Sequence, residues 1–195
     1  MSIKLNGATS GSVELDVPAA VTGGDVSLSL PGAGTVDRLE RAGNILQIVQ
    51  TVKTSRFTTT SGSATDITGF SASITPSSTS SKILIISSFH LGLGSAGAYA
   101  RPQLLRGSTV IGLGDASGSS TRVTAANISA DSADHEIANI SYTYLDSPAT
   151  TSATTYKWQV YTFSSRTVTF NGSEGTGDSN RLSTSSTITL IEVAA

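Results

Sequence analysis

The strongest constraint on this chain is a period of two. Apolar and polar residues alternate in short runs along most of its length, and residues of one parity on an extended chain share one face. The clearest case is Tyr156–Phe163 (YKWQVYTF). There Tyr156, Trp158 and Val160 fall on one side, and Lys157, Gln159 and Tyr161 on the other. Strands are likewise expected over Ile45–Lys53, Arg56–Thr60, Thr65–Thr75, Ala100–Leu105, Thr109–Gly114, Arg122–Ser129, Glu136–Leu145, Arg166–Asn171 and Thr187–Val193. The loops between them are rich in Ser, Thr, Gly and Asp, as in Asp115–Thr121 and Asp146–Thr155, and Arg106-Gly107-Ser108 reads as a hairpin turn. Lys82–Leu93 (KILIISSFHLGL) opens on an unbroken apolar stretch, the pattern of a strand buried on both faces.

Many short strands with turn signals about every ten residues predict an all-β protein built as a β-sandwich. With close to eight main strands, a jelly roll is the expected form. Thr35–Gly43 (TVDRLERAG) is the one stretch that reads as helix, with Asp37 as cap, Leu39 facing inward and Gly43 closing it. It divides the chain into an N-terminal element, residues 1–43, and a sandwich, residues 44–195. The N-terminal element holds three alternating runs: Ile3–Leu5, then Val13, Leu15 and Val17, then Val26, Leu28 and Leu30. Strands so short and free of aromatics cannot form a core alone. Identical copies around a threefold axis are the simplest partners.

Composition narrows the function classes. Only 13% of the residues are charged, and Ser and Thr make up about a third of the chain, a balance that also occurs in disordered segments. The dense aliphatic runs argue for a folded chain instead. A net charge of −2, with twelve Lys and Arg scattered along the sequence, gives no basic footprint for nucleic acid. Without cysteine there is neither a disulfide nor a thiolate metal site. Lys82–Leu91 is far too short to span a bilayer, so no membrane insertion is expected. The N-terminus lacks a secretory apolar stretch, so the product is expected to stay in the cytoplasm unless it leaves inside a larger particle.

The search for chemistry returns no catalytic, cofactor or metal site, and the chain is not expected to be an enzyme. His90 and His135 stand at no metal-ligand spacing, and His90 reads as a satisfied core or interface histidine. Asp131, Asp134 and Glu136 lack the alternating spacing and glycine of a calcium loop. Gly92–Gly97 (GLGSAG) follows a strand but precedes no helix, so the dipole that would hold a phosphate is missing. Asn127, Asn139 and Asn171 open glycosylation sequons that a chain rich in Ser and Thr produces by chance. What remains is recognition. Tyr99, Arg101, Asp115, Asp178 and Asn180, all in or near polar loops, are the candidate receptor-facing residues.

The stretch LNGATSGSVELDVPAA, with LSLPGAGTVDRLERAGNILQIV after it, resembles the opening of fibre-like virion structural proteins of phages that infect cyanobacteria and other aquatic bacteria. FSASITPSSTSSKILIISSFHLGL, LLRGSTVIGLGD, YTYLDSPATTSATTYKWQVY and STITLIEV are similar to the body of such proteins. The resemblance implies a virion component assembled in the host cytoplasm, with a tumour-necrosis-factor-like jelly roll that forms a homotrimer through its sandwich faces. It implies an N-terminal end docked to other virion proteins of the baseplate, tail or capsid. A trimeric tail fibre binding a host surface glycan is the first expectation, and a capsid decoration protein of the same fold is the second.

Overall fold

The structure is a computed structural model that describes residues 2–6, 12–16, 42–94, 98–128, 136–163, 166–174 and 181–195. The chain divides into two compact units, Met1–Leu39 and Glu40–Ala195. In the first, β1 (Ser2–Asn6) pairs antiparallel with β2 (Ser12–Asp16), setting Ile3 opposite Leu15 and Leu5 opposite Val13. The third alternating run and most of the expected helix fall outside the described residues.

The second unit contains β3 (Ile45–Lys53), β4 (Phe57–Thr59), β5 (Thr65–Ile74), β6 (Lys82–Leu93), β7 (Tyr99–Arg106), β8 (Thr109–Ile111) and β9 (Asn127–Ile128). It continues with β10 (Ile137–Asp146), β11 (Thr154–Thr162), β12 (Val168–Phe170) and β13 (Ser186–Val193). The strands form two antiparallel sheets. The first runs β3–β13–β6–β10, and β12 and β4 extend it where β13 and β3 leave off. The second runs β5–β11–β7–β8, with β9 also on β7. Numbering the eight main strands in chain order gives 1-8-3-6 facing 2-7-4-5, the strand order of a jelly roll. The late strands interleave with the early ones: β13 lies between β3 and β6, and β11 lies between β5 and β7.

Period two fills the space between the sheets. Ile83, Ile85, Phe89, Ile188 and Leu190 of the first sheet meet Ile67, Phe70, Leu104, Trp158 and Val160 of the second, and all are buried. At the centre Phe89 lies 4.8 Å from Trp158 and 5.7 Å from Phe70, and Phe70 lies 4.8 Å from Phe170 (ring centroids). Each contact crosses the sandwich, and tilted rings at these spacings gain about 0.5–1.5 kcal/mol beyond their area burial. Directional bonds cross as well. Trp158 Nε1 donates to Ser87 Oγ at 2.9 Å, and Tyr156 Oη donates to Asp146 Oδ2 at 2.6 Å. Arg106 Nη1 reaches both Asp146 oxygens, at 2.9 and 3.0 Å. Burial, then the Asp146 carboxylate, pushes the Tyr156 phenol far above the usual tyrosine range, so it remains a donor at every ordinary pH.

The expected all-β sandwich is present, with three informative differences. In β5 the alternation slips, so that Ile67 and Phe70, three apart, both point inward. Gly69, at φ +77, takes up the extra residue as a bulge where the register with β11 shifts. The strand expected over Arg122–Ser129 is regular only at Asn127–Ile128. Pro102 has no N–H to offer its neighbour, and its carbonyl accepts from Ala125 N at 3.2 Å. Close by, Thr124 Oγ1 replaces ladder bonds, accepting from Leu104 N and donating to Ile111 O, both at 3.0 Å.

The third difference is in β6, which is not buried on both faces. Ile83, Ile85 and Phe89 are enclosed, whereas Leu84 is half-buried and Ile86 is exposed. The apolar stretch is apolar on both sides, yet this unit covers only one.

Two positions carry predictions. A Cβ on Gly92 would lie 2.3 Å from Gly172 O and 2.9 Å from Ser173 Cα, both backbone atoms. Gly92→Ala is therefore expected to cost about 1–3 kcal/mol, as overpacking does, read as a lower midpoint in denaturant unfolding. Glu192 is fully buried, and burial alone would raise its pKa. Hydrogen bonds from Gln47 Nε2 (2.5 Å), Ser77 N (2.6 Å) and Ser77 Oγ (2.7 Å) outweigh that and hold the carboxyl below its ordinary 4.5. Its stabilisation is complete above pH 4.5 and is lost as pH falls through the lower folded value. Melting temperatures between neutral and acid pH should show Glu192→Gln losing part of the native protein's acid-side slope.

Candidate binding surfaces on the two sheet faces

The outward side chains of the first sheet follow from its register. One row across all four strands is Ile48, Ile191, Leu84 and Leu145. The next is Gln50, Thr189, Ile86 and Thr143, and the third is Val52, Thr187, Ser88 and Ser141. Ile45 and Val193 extend the apolar end, and the row they share closes on exposed Lys82 of β6. No position in the first three rows is charged. Ile48 is 60% exposed and Leu145 51%, joined across the sheet by Ile191 and Leu84, and Val52, 55% exposed, stands two rows away on β3. Contiguous apolar patches on a folded surface mark contact sites.

His90 lies on this same face beyond the third row, part-exposed rather than in the core. Its Nδ1 lies 3.2 Å from Ser185 O, and its Nε2 lies 3.3 Å from Asn139 Nδ2. Nδ1–H donating to the carbonyl and Nε2 accepting from the amide satisfies both nitrogens of a neutral ring. No metal-binding group of His, Asp and Glu occurs among the described residues.

The outer face of the second sheet differs in kind. Tyr161 on β11 stands opposite Arg101 on β7, and Phe163 follows β11 at the same end as Tyr99. The Arg101 guanidinium carbon lies 5.6 Å from the ring centroids of both Tyr161 and Phe163, so two rings hold the cation. Tyr99 packs edge-on to Phe163 at 6.2 Å. Phe163 is 54% exposed and Tyr99 36%. The adjoining row is Asp66, Gln159 and Gln103. Asp66 accepts from Lys157 Nζ at 2.8 Å and from Gln159 Nε2 at 2.7 Å, and the bond from Lys157 is the main reason its carboxyl titrates below the usual range. Lys157 and Asp66 thus neutralise each other.

Of the residues singled out from sequence, the structure brings Tyr99 and Arg101 together. Asp115 is exposed in a separate loop that Arg122 Nε closes onto Gly114 O at 2.6 Å. No hydrogen bond or ion pair among the described residues joins it to the other two. Asp178 and Asn180 lie outside the described residues, as do Asp131, Asp134 and His135. Tyr161 and Phe163 complete the cluster; their parity was legible in the sequence, but their partner strand was not. Asn171 is fully buried, with Nδ2 donating to Lys53 O at 2.7 Å, so its sequon is closed to modification. A shallow open hollow over Thr58–Ser61 and Thr167 offers hydroxyls but no titratable side chain.

No protein-family model matches the chain, and no curated protein matches its sequence. Among solved structures it is similar to a chain in the structure of infectious bursal disease virus, Gx strain, at 14% identity and a TM-score of 0.42. That similarity covers 95% of this chain and 43% of the other, so this chain spans less than half the length of its match.

Proposed function

We propose that this chain is a virion structural protein that works as a homotrimer, the head of a phage tail fibre, with the outer face of its first sheet as the subunit interface. The observation that carries this reading is the uncharged row Ile48, Ile191, Leu84 and Leu145, flanked by Ile45, Ile86 and Val52. Left in water, such a face is a liability. Covering the exposed part of each aliphatic side chain gains on the order of 1 kcal/mol, and the gain repeats at every subunit. The choice of three copies follows the sequence resemblance to fibre-like virion proteins. The N-terminal unit, with its β1–β2 pair, is assigned the docking to the particle, and the sandwich the contact with the host.

A built-in division of labour supports the same reading. One sheet face carries an uncharged aliphatic row bordered by hydroxyl and amide side chains and by Lys82, suited to permanent association, and the other is polar and aromatic, suited to reversible contact. Light scattering on the intact protein is expected to give three times the 19.9 kDa chain mass. Ile48→Asp and Leu145→Asp should each shift it to 19.9 kDa while keeping the circular-dichroism spectrum, because a carboxylate is tolerated in water but not in a closed apolar interface. A native protein that stays monomeric at high concentration, or variants that leave the trimer intact, would overturn the interface. A dimer would keep the face and overturn the threefold arrangement.

A further inference from the structure

We infer that the outer face of the second sheet binds a saccharide bearing a carboxylate, with Phe163 and Tyr99 receiving the sugar ring and Arg101 its charge. This deepens the host-contact half of the function proposed above and rests on it, but it uses the sheet opposite the proposed subunit interface.

Three features point to that ligand. The first is Arg101. Among the described residues no carboxylate pairs with it, whereas Lys157 on the same face is taken by Asp66 and Arg106 by Asp146. Among the described residues Arg101 is thus the cation of the face without an ion pair. Its guanidinium is held by Tyr161, directly across on β11, and by Phe163 two residues further along, so little rotamer freedom is lost when it meets a planar anion. The second feature is the exposed pair Tyr99 and Phe163, set nearly perpendicular at 88°. An aromatic ring left in water beside a cation suits the C–H-rich face of a pyranose, which is apolar on its ring faces and polar at its rim. The third is the neighbouring row. Gln103 and Gln159 lie opposite one another, next to Asp66, and present planar amide and carboxylate groups at strand spacing. These suit the hydroxyls at a sugar's rim.

Phe163 and Tyr99 stand exposed on the sheet rather than enclosed, which favours a repeated, weakly held ligand over a tightly enclosed one. Copies of the face on a common assembly would raise the avidity for a polymeric glycan.

The test is retention of the intact protein on surfaces coated with polygalacturonate, polysialic acid, dextran, polyacrylate or polyglutamate, read by interferometry at physiological salt. Retention is expected on at least one of the two acidic glycans and not on dextran, polyacrylate or polyglutamate. Arg101→Gln and Phe163→Ala should each weaken it about tenfold, the loss expected for one charge-assisted bond or one stacked ring. Arg101→Lys, which keeps the charge but not the flat group between the rings, should also weaken it. Equal retention on dextran, on polyacrylate or on the acidic peptide overturns the proposal, as does absence of retention on both acidic glycans. Retention unchanged in all three variants overturns it too. Mass and melting temperature of each variant report separately on the subunit interface. A glycan failure with an intact trimer leaves the structural reading standing, and a glycan-binding monomer removes only the trimer.

Discussion

Everything in the sandwich depends on the aromatic contact between its layers. Phe89 and Phe170 come from one sheet, Trp158 and Phe70 from the other, and all four are fully enclosed. Side chains of this size fix the spacing of the sheets and leave little room for a neighbour to slide. Truncating one is in the class of change that costs about 3–5 kcal/mol. The bulge at Gly69 serves the same contact: were Thr65–Ile74 to alternate strictly, Gly69 would point inward with Ile67 and Phe70 would point to solvent, because a slip of one residue exchanges the faces of a strand.

Around this apolar centre the polar cross-links set direction. Trp158 to Ser87, and Tyr156 with Arg106 on Asp146, tie the sheets at defined points. A buried carboxylate is costly unless its lone pairs are filled, and Asp146 and Glu192 are both filled by several donors. Such bonds discriminate between registers that hydrophobic burial alone would leave close in energy.

How much of this was legible follows from the range of each interaction. Strand parity is local, so Trp158 inward and Tyr161 outward could be read directly from YKWQVYTF. The partner of a strand is not local. Tyr161 and Phe163 meet Arg101 only because β11 lies beside β7, a neighbour no alternation specifies. For the same reason nothing in TITLIEV marks Glu192, its donors Gln47 and Ser77 being far away along the chain. The stretch KILIISS is instructive in another way. It signals that aliphatic side chains lie on both faces of β6, and the sandwich encloses those of one face only.

The interleaving of late and early strands bears on how the protein yields to damage. A single cut in the exposed loop between β8 and β9 would separate β3–β8 from β9–β13 in covalent terms only. Each of β11 and β13 would still be hydrogen-bonded on both edges to strands of the other fragment. Neither fragment owns a complete sheet, so neither can leave with its own core, and a nicked sandwich would hold its form until all of it opened at once. Proteolysis of such a loop is a scar rather than a dissection.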